Sequence, residues 1–298
     1  MGEKHSLNIP PMNLDRCIRP TAVTRSSILD DHPGLSVLLS CNEAVARGAI
    51  EAGVRVATSY PGSPLTMVID YLANAVEKFP NMHVEWSTNE KVAYEVALGA
   101  SLAGLRALTV MKNVGFNWTA DPLGHSALHG APGLVICAND DPPGENTGTT
   151  ADIRYLAMYT DTIVLEPSSI QEVKDMTAAA FELSEQTHLP VLVRVTERTG
   201  YARGPVILGP IQHRARERQP GFDKKTSPWA QSFYLPPFKE SPTWFNHQVG
   251  TNMRFHDEGP EGLIDHVGPL PSESNTLKRV EALPFNKMEI VPGAKIGV

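Results

Sequence analysis

Between positions 35 and 204 two hydrophobic rhythms alternate. Short apolar, β-rich runs occur at LSVLLS (35–40), VRVATSY (54–60), HVEW (83–86), RALTVMK (106–112), GLVICA (133–138) and PVLVRVT (190–196). Segments with helical spacing lie between them, at 42–53, 65–78, 88–104, 117–129 and 169–187. Strands separated by helical segments of this length predict βαβ units, hence a parallel sheet with helices on both faces. The strand runs are apolar almost throughout, as a sheet buried on both sides requires. The expected fold class is α/β, with a doubly wound, mostly parallel sheet. In such sheets ligands bind outside the carboxyl ends of the strands. Four loops qualify: 59–65, 86–90, 111–117 and 138–150.

Proline sets the outer limits of this pattern. Twelve of the 25 prolines fall in 205–298, where helical and strand periodicity fade. Residues 1–34 read as an N-terminal extension, 35–204 as the α/β domain, and 205–298 as an extended proline- and aromatic-rich arm. The arm's aromatics (Trp229, Phe233, Tyr234, Phe238, Trp244 and Phe245) favour docking on the domain or a partner over free disorder. VPGAKIGV (291–298) reads as the first strand of a further domain.

Charge and cysteine usage narrow the chemistry. The net charge is -7 and no basic stripe is present, so nucleic acid is not an expected partner. No run approaches the length of a membrane span, and residues 1–16 lack the apolar core of a secretory leader. The expected location is cytoplasmic. Cys17, Cys41 and Cys137 include no CxxC, so neither an iron–sulfur cluster nor a cysteine zinc site is expected on this chain.

The loops carry candidate chemistry at different strengths. SYPGSP (59–64) follows a strand and opens a helix. Gly62 permits close approach, and Ser63 could cap the helix or meet a ligand. EWSTNEKVAYEVALGASLAG (85–104) puts Glu90 ahead of a helix of small residues. Ser87-x-x-Glu90 also fits a capping box, a purely structural task for the same glutamate. Glu95 reads as a surface charge paired with Lys91. Lys112 and Asn113 stand at a strand's carboxyl end, with Gly115 allowing a turn. Asp121, His125 and His129 are spaced to share a helix face, which favours a polar lining or a solvated surface over a metal site. Asp140 and Asp141 read as turn initiators more than as paired carboxylates. Rossmann, P-loop and nucleophile-elbow motifs are all absent.

In combination, NEAVARGAIEAGV, TSYPGSP, HVEWSTNEKVAYEVALGASLAGLRALTVMKNVG, ADPL and LEPSSIQEVKDMTAAAFELSE resemble the thiamine diphosphate-dependent 2-oxoacid:ferredoxin oxidoreductases. The likeness is strongest to the large subunit of indolepyruvate:ferredoxin oxidoreductase. It covers residues 35–204, which correspond to the family's pyrimidine-binding (Pyr) domain. The resemblance implies that Glu90 is the glutamate that hydrogen-bonds N1′ of the cofactor's aminopyrimidine. It further implies cofactor contacts from Pro61, Gly62 and Ser63, and substrate contacts from Lys112, Asn113 and Asn117.

By the same resemblance the chain supplies half of a thiamine diphosphate site. A diphosphate-binding (PP) domain with Mg²⁺, and ferredoxin-like segments with 4Fe–4S clusters, are expected on partner subunits. The implied reaction is oxidative decarboxylation of an arylpyruvate-like 2-oxoacid to an acyl-CoA, with electrons leaving to ferredoxin. Self-association through paired Pyr domains is also expected. The family's PP and cysteine-rich segments do not occur in these 298 residues, so the chain reads as a split subunit or a truncation. ENTGTTAD (145–152) differs from the Ser/Gln-rich stretch expected of indolepyruvate enzymes, which leaves the 2-oxoacid open. Two alternatives follow: a non-redox thiamine diphosphate decarboxylase or carboligase subunit, and a non-catalytic Pyr-like scaffold.

Overall fold

In a computed structural model of the chain, the described residues are 27–144, 151–160, 162–212 and 283–285. The apolar runs become strands whose successive side chains face opposite sides of one sheet. These strands are β2 (Val56–Ser59), β3 (His83–Trp86), β4 (Ala107–Lys112), β5 (Leu134–Asp140), β6 (Ile163–Leu165) and β7 (Val191–Thr196). The sheet order is β3-β2-β4-β5-β7-β6, and every neighbouring pair is parallel. Leu108, Val110, Val135, Cys137, Val191, Val193 and Val195 enter one core. Ala107, Met111, Leu134, Ile136, Ala138 and Leu192 enter the other. The doubly wound expectation therefore holds, and its cause is this two-sided apolar alternation.

Helices α1 (Cys41–Glu51), α2 (Met67–Ala75) and α7 (Ile170–Thr187) cover the first face. Helices α3 (Glu90–Leu102), α5 (Ala120–His129) and α6 (Ile153–Tyr159) cover the second. The helix expected at 117–129 is broken into pieces. A four-residue α4 (Asn113–Phe116) and a 3-10 turn (Asn117–Thr119) precede α5.

Other elements depart from the expected pattern. The run at 35–40 is a strand, β1 (Ser36–Ser40), but it lies outside the parallel sheet. It pairs antiparallel with β8 (Arg203–Ile207), a strand the proline in RGPVI disguises. Strand β8 crosses position 204, and the chain keeps packing on the domain through Ile211, which is buried. The polar stretch 138–155 contains the start of α6, with β6 following. Four residues, Glu197–Gly200, form a short helix α8 after β7.

A buried ionic hub joins the flanks. Arg47 of α1 is fully buried. It donates to Ile28 O (2.9 Å), Asp30 O (2.5 Å) and Gly209 O (2.7 Å), and to Glu51 Oε1 (2.7 Å). Lys174 of α7 donates to Glu51 Oε2 (3.0 Å), and Gly209 N to Glu51 Oε1 (2.6 Å). Ile28, inside the stretch read as an extension, thus belongs to the core, at 1% exposed. Of the arm, Leu283 and Phe285 are described, and both pack against the core cluster of α1 and α7. The arm's aromatics at 229–245 lie outside the described residues. Among those described, no helix is long and apolar enough to cross a membrane.

Candidate functional site

The chain leaves β2 towards β3 on one side and returns to β4 on the other, so the sheet's order reverses between β2 and β4. A reversal of this kind opens a crevice at the strands' carboxyl ends. Three of the loops expected to carry chemistry meet there.

The turn after β2 brings Pro61 and Ser63 to the surface, with Gly62 half-buried between them. Leu65 N donates to Gly62 O (3.1 Å), closing the turn, and the Ser63–Pro64 peptide is cis. Gly62 lies against β4: a Cβ there would sit 2.8 Å from Lys112 Cβ. Lys112 itself is buried. Strand β2 is tied to both neighbours at this level. Ser59 Oγ donates to Val110 O (2.7 Å), and Ser87 N donates to Ser59 O (2.8 Å).

The capping box read from Ser87 and Glu90 does not form. Asn89 caps α3, its side-chain oxygen accepting from Val92 N (2.9 Å). Ser87 Oγ donates instead to Glu85 Oε1 (3.0 Å). A residue closer to the helix and better suited to cap it takes the job, because asparagine ranks with serine as a cap. Glu90 becomes the first helical residue, and its side chain is released from helix capping. Its carboxylate is half-buried and makes no hydrogen bond or ion pair to any described residue.

That carboxylate rests on the backbone of Gly115 in α4. A Cβ at position 115 would meet Glu90 Oε1 at 2.3 Å and Glu90 Cδ at 2.4 Å. Any side chain at 115 would expel the carboxylate. Beside it Asn113 is fully buried. Its Oδ1 accepts from Val114 N (2.8 Å), while its Nδ2 donor has no partner. A buried amide donor without an acceptor is costly in a finished core. Here the donor's bonding capacity is unspent. Asn117 is exposed, one turn further along. Tyr60, Trp86 and Trp118 expose large rings on the same loops, Trp118 being 67% accessible.

Glu90, Gly115, Asn113, Lys112 and Gly62 therefore come together at one crevice, with Ser63 on its rim. The other candidates take structural roles. Lys91 reaches Glu95 at 3.9 Å and Asp121 at 3.1 Å, tying α3 to α5 on the surface. His125 lies 3.7 Å from Asp121, and among the described residues no group of three potential ligands could hold a metal. Asp141 O closes a turn by accepting from Gly144 N (3.0 Å), as its sequence suggests. Asp140, however, is fully buried and pairs with Arg194 of β7 (2.6 Å). Arg194 also pairs with Glu166, so these charges brace the sheet. Three residues near the crevice are not singled out by the sequence, although Asn42 opens the NEAVARGAIEAGV stretch and Asn139 lies in the 138–150 loop: these two and Gly200. They reach it from elements far away along the chain.

The geometry suits thiamine diphosphate. Glu90 offers a carboxylate with unused bonding capacity, glycines bare the backbone on either side, and Asn113 holds a spare donor. Comparisons with known proteins agree. A family model described as pyruvate flavodoxin/ferredoxin oxidoreductase, thiamine diphosphate-binding, matches residues 47–256. Indolepyruvate oxidoreductase subunit IorA of Thermococcus kodakarensis is 38% identical over 272 residues, covering 91% of this chain and 38% of that protein. The IorA subunit of Archaeoglobus fulgidus is 43% identical over 273 residues, covering 88% and 43%. The 2-oxoglutarate synthase subunit KorA of Methanocaldococcus jannaschii is 27% identical, covering 84% and 69%. The chain thus spans about two-fifths of the length of its IorA relatives.

The fold has a solved counterpart in 2-oxoglutarate:ferredoxin oxidoreductase from Magnetococcus marinus, whose structure has 2-oxoglutarate, coenzyme A and succinyl-CoA bound. It aligns with a TM-score of 0.54 at 21% identity, over 58% of this chain and 31% of that one. The crevice at the sheet reversal and a family match over most of the domain point the same way: this chain belongs to the pyruvate flavodoxin/ferredoxin oxidoreductase family, through its thiamine diphosphate-binding domain.

Proposed function

We propose that this chain supplies the pyrimidine-binding half of a thiamine diphosphate site in a 2-oxoacid:ferredoxin oxidoreductase, acting on an arylpyruvate-like 2-oxoacid. The observation that carries the reading is Glu90. Its carboxylate is seated on Gly115, released from helix capping, and unpaired at the mouth of the crevice.

When bound, thiamine diphosphate supplies the carbon nucleophile and the electron sink for decarboxylation. The chain's own residues position and protonate. Glu90 holds a proton between its carboxylate and ring nitrogen N1′ of the aminopyrimidine, a positioned acid–base role. The Pro61–Gly62–Ser63 turn presents a flat backbone surface and one hydroxyl to the ring. Lys112 and Asn113 face the substrate's carboxylate and keto oxygen as donors. Asn117 lies on the outer side of this loop. The rings of Tyr60, Trp86 and Trp118 exclude water once a partner closes over them.

The remaining parts belong to partners: a PP domain carrying Mg²⁺, ferredoxin-like segments carrying 4Fe–4S clusters, coenzyme A as acyl acceptor and ferredoxin as electron acceptor. Self-association of the chain and a cytoplasmic location complete the reading.

The test is Glu90→Gln in the complex purified through this chain. Glutamine keeps the shape but cannot exchange the proton. Substrate-dependent ferredoxin reduction should collapse while the melting temperature stays put. Wild-type turnover by that variant would remove Glu90 from the mechanism. Native mass spectrometry of the same complex should report iron, thiamine diphosphate and a PP-bearing subunit; a chain isolated with none of them would count against the reading.

A further inference from the structure

The Ser63 turn is gripped from outside by two elements that the sequence places far from it. The first is α1. Its start is fixed by a reciprocal cap in which Glu43 N donates to Ser40 Oγ (3.3 Å) and Ser40 N to Glu43 Oε2 (2.8 Å). Cys41 N is fastened to Ala202 O (3.1 Å). From this rigid base Asn42 Nδ2 donates to Pro64 O (2.9 Å). The Asn42 side chain is buried, and its Oδ1 has no partner. A buried asparagine with an unanswered oxygen is poor core material, because the orphan acceptor is costly. What the residue contributes here is one bond to the turn.

The second element is α8. Gly200 does not have a positive φ, so its backbone does not require glycine. The requirement is steric. A Cβ there would lie 2.4 Å from Pro64 Cγ and 3.3 Å from Pro64 Cβ. The Pro64 ring is buried in the space that glycine leaves. Asn42 thus holds the carbonyl of Pro64 while Gly200 receives its ring. Gly62, two residues earlier, is stopped by Lys112 on the opposite side.

We infer that Asn42 and Gly200 are positioning residues that set the location of the Pro61–Ser63 turn over the crevice, and through it the affinity for cofactor and 2-oxoacid. The inference rests on the reading of the crevice given above.

The experiment uses the complete complex, stripped of thiamine diphosphate and titrated with it. The variants are Asn42→Ala, Asn42→Asp, Gly200→Ala, Glu90→Gln and, as a control, Gly99→Ala, where a Cβ meets nothing within 4 Å. Loss of one bond of about 1 kcal/mol should weaken cofactor binding about fivefold in Asn42→Ala. Asn42→Asp keeps the shape and, in this buried place, stays protonated and can still donate to Pro64 O, so it should bind closer to wild type than Asn42→Ala does. Gly200→Ala should weaken it at least as much and raise KM for the 2-oxoacid more than it lowers kcat. Because both residues act on one turn, the double variant should lose less than the product of the single effects. Gly99→Ala should bind as the wild type does.

A purely structural role gives a different pattern, with a lower melting temperature but wild-type cofactor affinity and KM. That pattern overturns the inference. Should Gly200→Ala fail to fold, Asn42→Ala still decides: wild-type affinity there overturns the inference as well. Glu90→Gln separates the two levels. If it is inactive while the Asn42 and Gly200 variants match wild type, the positioning role alone fails. If it turns over normally, the reading of the crevice fails with it.

Discussion

Two clusters of buried polar groups in this domain are handled in opposite ways. The hub around Arg47, Glu51 and Lys174 is closed: the guanidinium answers three carbonyls and a carboxylate, and that carboxylate answers a lysine and an amide. The crevice around Glu90 is open. Its carboxylate is unpaired, and Asn113 Nδ2 and Asn42 Oδ1 have no partners. Both clusters sit on the same scaffold, so neither reflects a generally loose or tight fold. The closed cluster is complete as it stands, and breaking it would leave buried polar groups without partners. The open one leaves bonding capacity unspent among the described residues. Hydrogen-bond satisfaction, more than burial, separates the two clusters.

Mutations can break this contrast. The largest effect is expected from Glu90→Gln, with turnover of the complex falling about 10²- to 10⁴-fold, the usual worth of a positioned acid–base group. Chemical denaturation of that variant should match wild type within about 0.5 kcal/mol, as for an uncoupled surface change. Arg47→Met should do the reverse. It strands three carbonyls and leaves Glu51 only Lys174 and the Gly209 amide, so the cost is expected at the lower end for a broken buried pair, about 3 kcal/mol. Its signature is a large fall in the urea midpoint, with the activity of the folded fraction retained.

Gly115→Ala tests how closely the open cluster is built. The added methyl displaces the Glu90 carboxylate, the far end of a flexible, half-buried side chain, so stability should move by less than about 1 kcal/mol. Turnover should fall further than the melting temperature explains. The smallest effect is expected at Asp152. The hydrogen bond from the Arg154 side chain, foremost, holds its carboxyl below the ordinary value of 3.8. A depressed carboxylate stabilises the fold above its unfolded pKa and loses that contribution as pH falls through the lower folded value. Asp152→Asn should therefore lower the melting temperature slightly at neutral pH. The gap to wild type should close as the pH drops below about 4.

The sequence showed the sheet more clearly than the site. Strands β4, β5 and β7 were legible because both of their faces are apolar, which leaves them one place to go. The run at 35–40 was equally apolar, yet nothing in five residues says which sheet a strand joins. Its partner β8 was hidden by Gly204 and Pro205, residues that usually argue against a strand. Helix α6 was masked by the polar loop before it.

At the site, Glu90 stood out through family resemblance, while the residues alone left it balanced against a capping box. Asn89, two residues nearer the helix than Ser87, caps α3 and so removes the capping-box reading, and only coordinates show which of two nearby caps is used. Gly115 could be flagged as a turn, but its contact with Glu90 crosses 25 positions. Asn42 lies in a stretch that carries the family resemblance and Gly200 in none, yet neither is marked as a site residue, since each meets Pro64 through tertiary packing.

The Arg47 guanidinium has a consequence for the domain's history and engineering. It binds Ile28 O and Asp30 O just before β1 and Gly209 O just after β8, so the two flanks of the sheet-bearing segment lie within one side chain's span. A unit whose two ends meet can be spliced into another chain, or excised from one, without stretching either flank. Such adjacency makes the unit portable. A circular permutant joining the 209–212 segment to residue 27 by a short linker, and opened in an exposed loop elsewhere, should keep the six-stranded sheet.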